Sequence, residues 1–189
     1  MKNKQQGFSL VELVIVVIIL GLLAVTALPR LISVTEDAED ATVEGVAGGF
    51  ATGVGIARTQ WELDGRPSGN GANANTSTIV LDQVTVGVDG NIGYPTNDGS
   101  DNSLSSTMSA TDCQEVFDLI LQSSPRSTTT FNTATILEVD YYINVSSNVC
   151  YYYLTQTIKD ESSAPTNTTT GNGFTYDASL GQVEVFSNN

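Results

Sequence analysis

The sequence predicts an α+β fold, with one long N-terminal helix followed by a head built on an antiparallel sheet and carrying a short second helix. Three observations predict it. Phe8 to Leu28 is almost wholly apolar, apolar residues keep helical spacing from Val43 to Trp61, and beyond Ser68 short alternating segments between turn residues replace both patterns. At 189 residues, 40% of them hydrophobic, the chain has room for one globular core plus an appendage.

The first element is FSLVELVIVVIILGLLAVTAL, 21 residues with a single charge. That length crosses a hydrocarbon core of about 30 Å as a helix. Before it, MKNKQQG is short, polar and positive through Lys2 and Lys4. After it come Arg30 and then the acids Glu36, Asp37, Glu39, Asp40 and Glu44. Cation bias predicts a cytoplasmic N-terminus and an outward-facing remainder. Arg30 weakens the asymmetry without reversing it. A cleavable secretory signal would need an apolar core of about 7–15 residues and an A-x-A-like site after it. This run is too long, and Leu28-Pro29-Arg30 offers no such site.

Glu12 stands inside the apolar run. A central carboxylate in hydrocarbon costs roughly 2.5–3.5 kcal/mol, and less where it reaches the interface. Two readings follow from its place near the cytoplasmic edge. Either it snorkels or is protonated there, or it pairs with a cation of a neighbouring subunit.

Composition excludes several function classes. Asp and Glu number 21 against 7 Lys and Arg, a net charge of −14, and Arg30, Arg58, Arg66 and Arg126 are scattered. A nucleic-acid surface needs clustered cations, so no nucleic-acid partner is expected. The chain has no histidine, which removes the commonest general base and metal ligand. No G-x-S-x-G elbow occurs and no carboxylate pair is singled out, so the sequence predicts neither an enzyme nor a cofactor.

Gly7-Phe8-Ser9-Leu10-Val11-Glu12, running into an unbroken apolar helix, resembles the processing signal of type IV prepilins and pseudopilins. The resemblance implies cleavage between Gly7 and Phe8 by a prepilin peptidase, followed by N-methylation of Phe8. It implies that Glu12 meets the terminal amine of an adjacent subunit, and that Gly21 and Pro29 bound a stretch of helix that loosens on assembly. Residues Gly45 to Pro67, GVAGGFATGVGIARTQWELDGRP, resemble the mannose-sensitive haemagglutinin (MSHA) branch of the family, and its minor pilins in particular. The implied partners are other pilin subunits, the prepilin peptidase, an inner-membrane assembly platform and, before assembly, membrane lipid. The implied location is the bacterial inner membrane with the head in the periplasm, then the pilus at the cell surface. A type II secretion pseudopilin and a tethered binding or adhesion domain that never polymerises are the alternatives. The resulting organisation is a leader at 1–7, a transmembrane and filament-core helix at 8–28, an amphipathic outer half at 29–67 and a globular head at 68–189.

In the outer half, Val43, Ala47, Phe50, Val54, Ala57 and Trp61 draw one stripe along a helix. Gly45, Gly48, Gly49, Gly53 and Gly55 oppose helix formation by roughly 1 kcal/mol each relative to alanine. Either Gly45-x-x-x-Gly49-x-x-x-Gly53 admits a close approach of the sheet or of a neighbour, or the helix is weak there. Close packing against the head is preferred because Phe50 and Val54 flank that face and need cover. Gly65-Arg66-Pro67 predicts the stop.

In the head, 68–77 reads as a loop, Ile79 to Val88 as a strand closed by Asp89-Gly90, and Gly93 to Ser109 as a polar loop. Thr111 to Gln114 reads as a capping box opening a helix through Val116, Leu119 and Ile120. Leu137 to Val145 alternates strictly, with Tyr142 on the polar side, and turns through 146–148 into a second strand, Val149 to Ile158. A polar linker then leads to Phe174-Thr175-Tyr176 and a final strand, Gln182 to Phe186.

The two cysteines, Cys113 and Cys150, have no CxxC spacing, and zinc is not expected. They read as a disulfide tying the short helix to the second hairpin strand, in an oxidising compartment. The alternative is two free buried thiols. Closing that loop adds about 4 kcal/mol in the chain-entropy treatment. Asp89, Asn91, Asp98 and Asp101 are oxygen ligands in a Gly-rich loop and form a weak calcium candidate. Their spacing matches no EF-hand, and solvated acidic loops are the common case.

Overall fold

The computed structural model describes residues 8–69 and 76–188, apart from the side chains of Pro29 and Ile32. The chain divides into two compact units at Ala38/Glu39. Helix α1, Leu10–Leu63, contributes to both.

In the first unit, every described side chain from 8 to 35 is exposed. Leu10, Val17, Leu22, Val25, Leu31 and Val34 all stand open. Large exposed apolar surfaces of this kind mark a partner or a membrane, and this stretch is long and apolar enough to cross one.

The second unit builds its core on the stripe. Val43, Ala47, Phe50, Val54, Ala57 and Trp61 are all buried, as the steps of three and four residues dictate. Phe50 is fully buried among four rings, at 5.4 Å from Tyr152, 5.5 Å from Phe174, 5.3 Å from Tyr176 and 6.3 Å from Phe117. The helix stops at Leu63, where Gly65 and Arg66 take positive φ of 83° and 59°. The Arg66 amide then donates back to the Trp61 carbonyl at 2.9 Å, and a glycine there admits the turn at little steric cost.

Two sheets follow. Strands β1 (Thr76–Leu81), β2 (Val84–Asp89) and β3 (Pro95–Asn97) form an antiparallel sheet in that order. Helix α2 (Ala110–Ile120) comes next. The second sheet has five strands in sequence order: β4 (Ser127–Thr128), β5 (Tyr141–Ser146), β6 (Val149–Leu154), β7 (Gly173–Asp177) and β8 (Gln182–Phe186). All of its pairs are antiparallel except β4 with β5. Single-turn helices α3 (Thr133–Ile136) and α4 (Thr155–Ile158) flank β5 and β6.

Several sequence expectations need correction. Ile79 to Val88 is not one strand but most of a hairpin, because Asp82 and Gln83 turn the chain with φ of 45° and 72°. The loop expected at Gly93 to Ser109 contains β3. The capping box lies two residues earlier than Thr111. Ser109 is the N-cap, its hydroxyl accepts from the Asp112 amide, and the Asp112 carboxylate accepts from the Ser109 amide at 2.7 Å. The strand expected from Leu137 starts at Tyr141, since Asn132 caps α3 and Leu137 ends it, exposed. The strand expected to reach Ile158 ends at Leu154 and passes into α4. Tyr142 is not on a wet face, because it packs with Tyr153 and Ile158 in a second small core behind the sheet, against Phe131 and Phe186.

The glycine face packs closely against the head at one of its three positions. No heavy atom lies within 4 Å of a Cβ placed at Gly45, and a Cβ at Gly49 would make an ordinary 3.5 Å contact with Leu121. At Gly53 a Cβ would run into the Ile120 side chain and stand 2.9 Å from its carbonyl oxygen. The close approach is therefore real, but it is made by the end of α2 rather than by the sheet.

Candidate functional site

The site built by the N-terminal unit is the first turn of α1 with the apolar helix behind it. Gly7 lies outside the described residues. Phe8 is described and is 87% exposed. Ser9 is the N-cap and Glu12 the third helical residue. The Ser9 amide donates to Glu12 Oε2 at 2.8 Å, and the Glu12 amide donates to Ser9 Oγ at 3.2 Å. This is a reciprocal capping box satisfying two otherwise orphaned donors. Its sequence signal is Ser9-x-x-Glu12, which overlaps the residues that carry the processing motif. Glu12 Oε1 takes no hydrogen bond among the described residues, so one carboxylate oxygen holds the turn while the other faces outward.

Gly21 and Pro29 fall within α1, which runs through both positions as one helix. No heavy atom lies within 4 Å of a Cβ placed at Gly21.

Cys113 in α2 and Cys150 in β6 are bonded, with Cα atoms 5.6 Å apart across 37 positions of chain. Both are fully buried, and the Tyr152 hydroxyl donates to the Cys113 carbonyl at 2.9 Å beside them. The bridge fastens α2 to the central sheet under the Phe50 ring cluster. Replacing both cysteines by serine is expected to remove about 2–4 kcal/mol of stability. The parent chain, denatured without reductant, should migrate faster on a gel than the reduced chain, and equal mobility would contradict the bridge.

The calcium candidates are engaged in shaping their loops. Asp89 is buried, with Oδ1 accepting from the Asn91 amide and side chain at 3.0 Å each. Its Oδ2 accepts from the Ser105 hydroxyl at 2.8 Å. Asp98 Oδ1 accepts from the Ser100 amide at 2.7 Å, while Asp101 Oδ1 accepts from the Ser103 amide at 3.0 Å and from the Asn97 side chain. Among the described residues no three His, Cys, Asp or Glu side chains gather as a metal-holding group.

The same acidic region raises the Glu115 carboxyl above its usual range, first through partial burial and then through repulsion from Asp98, Asp112 and Asp101. A carboxyl whose folded pKa is raised favours the fold most when protonated, and that contribution fades as pH rises through the folded pKa. Glu115→Gln keeps an oxygen for the Asp98 amide, which Glu115 Oε2 now accepts at 3.2 Å. It is expected to stabilise the head slightly at pH 7, by about 0.5 kcal/mol or less after solvent screening. Thermal unfolding of variant and parent should converge below the unfolded carboxylate pKa of about 4.3.

Residues 2–28 match the family profile described as the prokaryotic N-terminal methylation motif. The chain is 30% identical over 90 residues to the type IV narrow pilus major component PilA5 of Thermus thermophilus, an alignment spanning 44% of this chain and 78% of that one. No solved structure matches it.

Proposed function

The chain belongs to the type IV pilin family, and from that premise we propose that it is a structural subunit of an MSHA-like type IV pilus. In this reading a prepilin peptidase cuts between Gly7 and Phe8 and the new N-terminus is methylated. Residues 8–28 hold the subunit in the bacterial inner membrane, with the N-terminus cytoplasmic and the head periplasmic, until the assembly platform draws it into a filament. The Gly45–Pro67 segment supports a minor-pilin position, through its resemblance to the MSHA minor pilin called biogenesis protein B. The relative in Thermus thermophilus is by contrast named a major component.

The observation that carries the reading is a bare apolar helix in a chain whose head is self-sufficient. The head buries its own stripe and closes its own disulfide, so the exposed face from Leu10 to Val34 is not needed for folding. Such a face moves from lipid to protein with little change in solvation, which suits a reversible membrane pool. Glu12 adds register. Its Oε2 is held by Ser9, and its Oε1 is available to the amine that cleavage creates on a neighbour. An unpaired carboxylate at the membrane edge is relieved by that contact.

Antibody against the head should decorate surface filaments in cells that make the chain. Short structures confined to the periplasm would favour a secretion pseudopilin, and diffuse membrane staining a tethered domain.

A further inference from the structure

We infer that Arg30 forms an ion pair with Glu36 and Asp37 of a second copy of this chain, in the same stagger that brings Phe8 of one copy to Glu12 of the other. The inference rests on the filament reading above. Arg30 is exposed, and it takes part in none of the ion pairs found among the described residues. Its own helix offers it no partner at the usual spacings, because positions three and four away are Thr26, Ala27, Ser33 and Val34. The nearest acids, Glu36 and Asp37, lie six and seven residues on, about 9 and 10.5 Å along the axis.

A parallel neighbour changes that distance. Bringing Phe8 level with Glu12 offsets two helices by four residues, about 6 Å. Arg30 then stands level with Val34 of the adjacent copy. Glu36 and Asp37 of that copy are only two and three residues further, about 3 and 4.5 Å along the axis. In parallel helices all three side chains lean the same way, toward the N-terminus, so that gap stays within the reach of a long arginine side chain. One offset thus satisfies a cation and an anion at each end of the exposed helix.

The surroundings make a partner necessary. Arg30 shares a surface with Ala24, Ala27, Leu28, Leu31 and Val34, which is almost wholly apolar. Covering that surface with another helix strips water from the guanidinium, and a desolvated charge without a partner is strongly unfavourable. Arginine also suits the role, since its planar fork meets carboxylates with two donors.

The test is charge reversal and rescue in cells that assemble the chain, read as the ratio of sheared filament subunit to membrane pool. Arg30→Glu should lower that ratio at least tenfold, as should the paired change Glu36→Arg with Asp37→Arg. The triple variant should return to within about twofold of the parent. Head folding is followed by the non-reducing mobility of the Cys113–Cys150 chain. Separately, Arg30→Cys with Asp37→Cys should give a ladder of oxidised multimers in sheared material. Failure of the triple variant to recover, or no ladder, overturns the pair. Loss of membrane level in Arg30→Glu, with no ladder, would overturn it in favour of a lipid-phosphate contact. If Arg30→Glu assembles normally while Glu12→Gln does not, the pair falls and the filament reading stands. If both assemble normally, the two fall together.

Discussion

Glu12→Gln is expected to leave the chain in the membrane at the parent level and to remove it from filaments. The glutamine keeps the local structure, because an amide oxygen at the third helical position accepts from the Ser9 amide as the carboxylate does. What it loses is charge. Breaking a buried pair by removing one partner costs roughly 3–5 kcal/mol, since the other charge is left uncompensated, and that is about a hundredfold or more in subunit incorporation. Glu12→Ala removes charge and cap together, with about 1 kcal/mol of local helix stability added to the loss. The contrast between the two separates the roles of this residue. If Glu12→Gln filaments form normally and only Glu12→Ala fails, the carboxylate matters as a cap and not as a register. The comparison is made on sheared filament and membrane fractions from the same cells.

Phe50→Ala is expected to cost the head close to 5 kcal/mol, the upper part of the range for a buried phenylalanine. Phe50 is fully buried, and its four ring neighbours come from α2, β6 and β7. Two of those rings, Tyr152 and Tyr176, are held in place by hydroxyl bonds to the carbonyls of Cys113 and Pro95, each 2.9 Å. The site therefore collapses poorly, which is the condition for a large cavity term. Denaturant unfolding of the full chain in detergent, followed by tyrosine fluorescence, measures the loss. A change below about 2 kcal/mol would show that α1 is not the centre of the head core. Ile56→Ala, on an exposed position of the same helix, should stay within about 0.5 kcal/mol of the parent and serves as the control.

The long helix of this molecule was legible because its signal repeats. The stripe from Val43 to Trp61 has six members at three- and four-residue steps, and all six are buried. The last strand, Gln182–Phe186, was readable from local features, and the disulfide from the presence of two cysteines and the compartment expected for the head. The three-stranded sheet was read less well because its first turn is unmarked. Asp82-Gln83 adopts a tight turn with positive φ at both residues, and neither is glycine. Its flanks, Ile79 and Val88, therefore read as one continuous strand. Alternation misled at Leu137, where the pattern carries on through a capped single turn and the strand proper begins four residues later. Tyr142 was placed on the wet face because loops from elsewhere in the chain cover it, and long-range cover leaves no local pattern. At the candidate site, the processing motif was legible while the cap made by its own Ser9 and Glu12 was overlooked. The calcium candidates were visible as three acids and Asn91, but the engagement of the three carboxylates by neighbouring amides and hydroxyls depends on loop geometry that composition does not carry.

The central claim is that this chain is processed as a prepilin, and the most direct measurement is intact mass with N-terminal sequencing of protein recovered from native membranes. The account predicts a chain that begins at methylated Phe8. A chain still beginning at Met1, from cells with an active prepilin peptidase, would contradict it and reduce Glu12 to the cap of an ordinary membrane anchor.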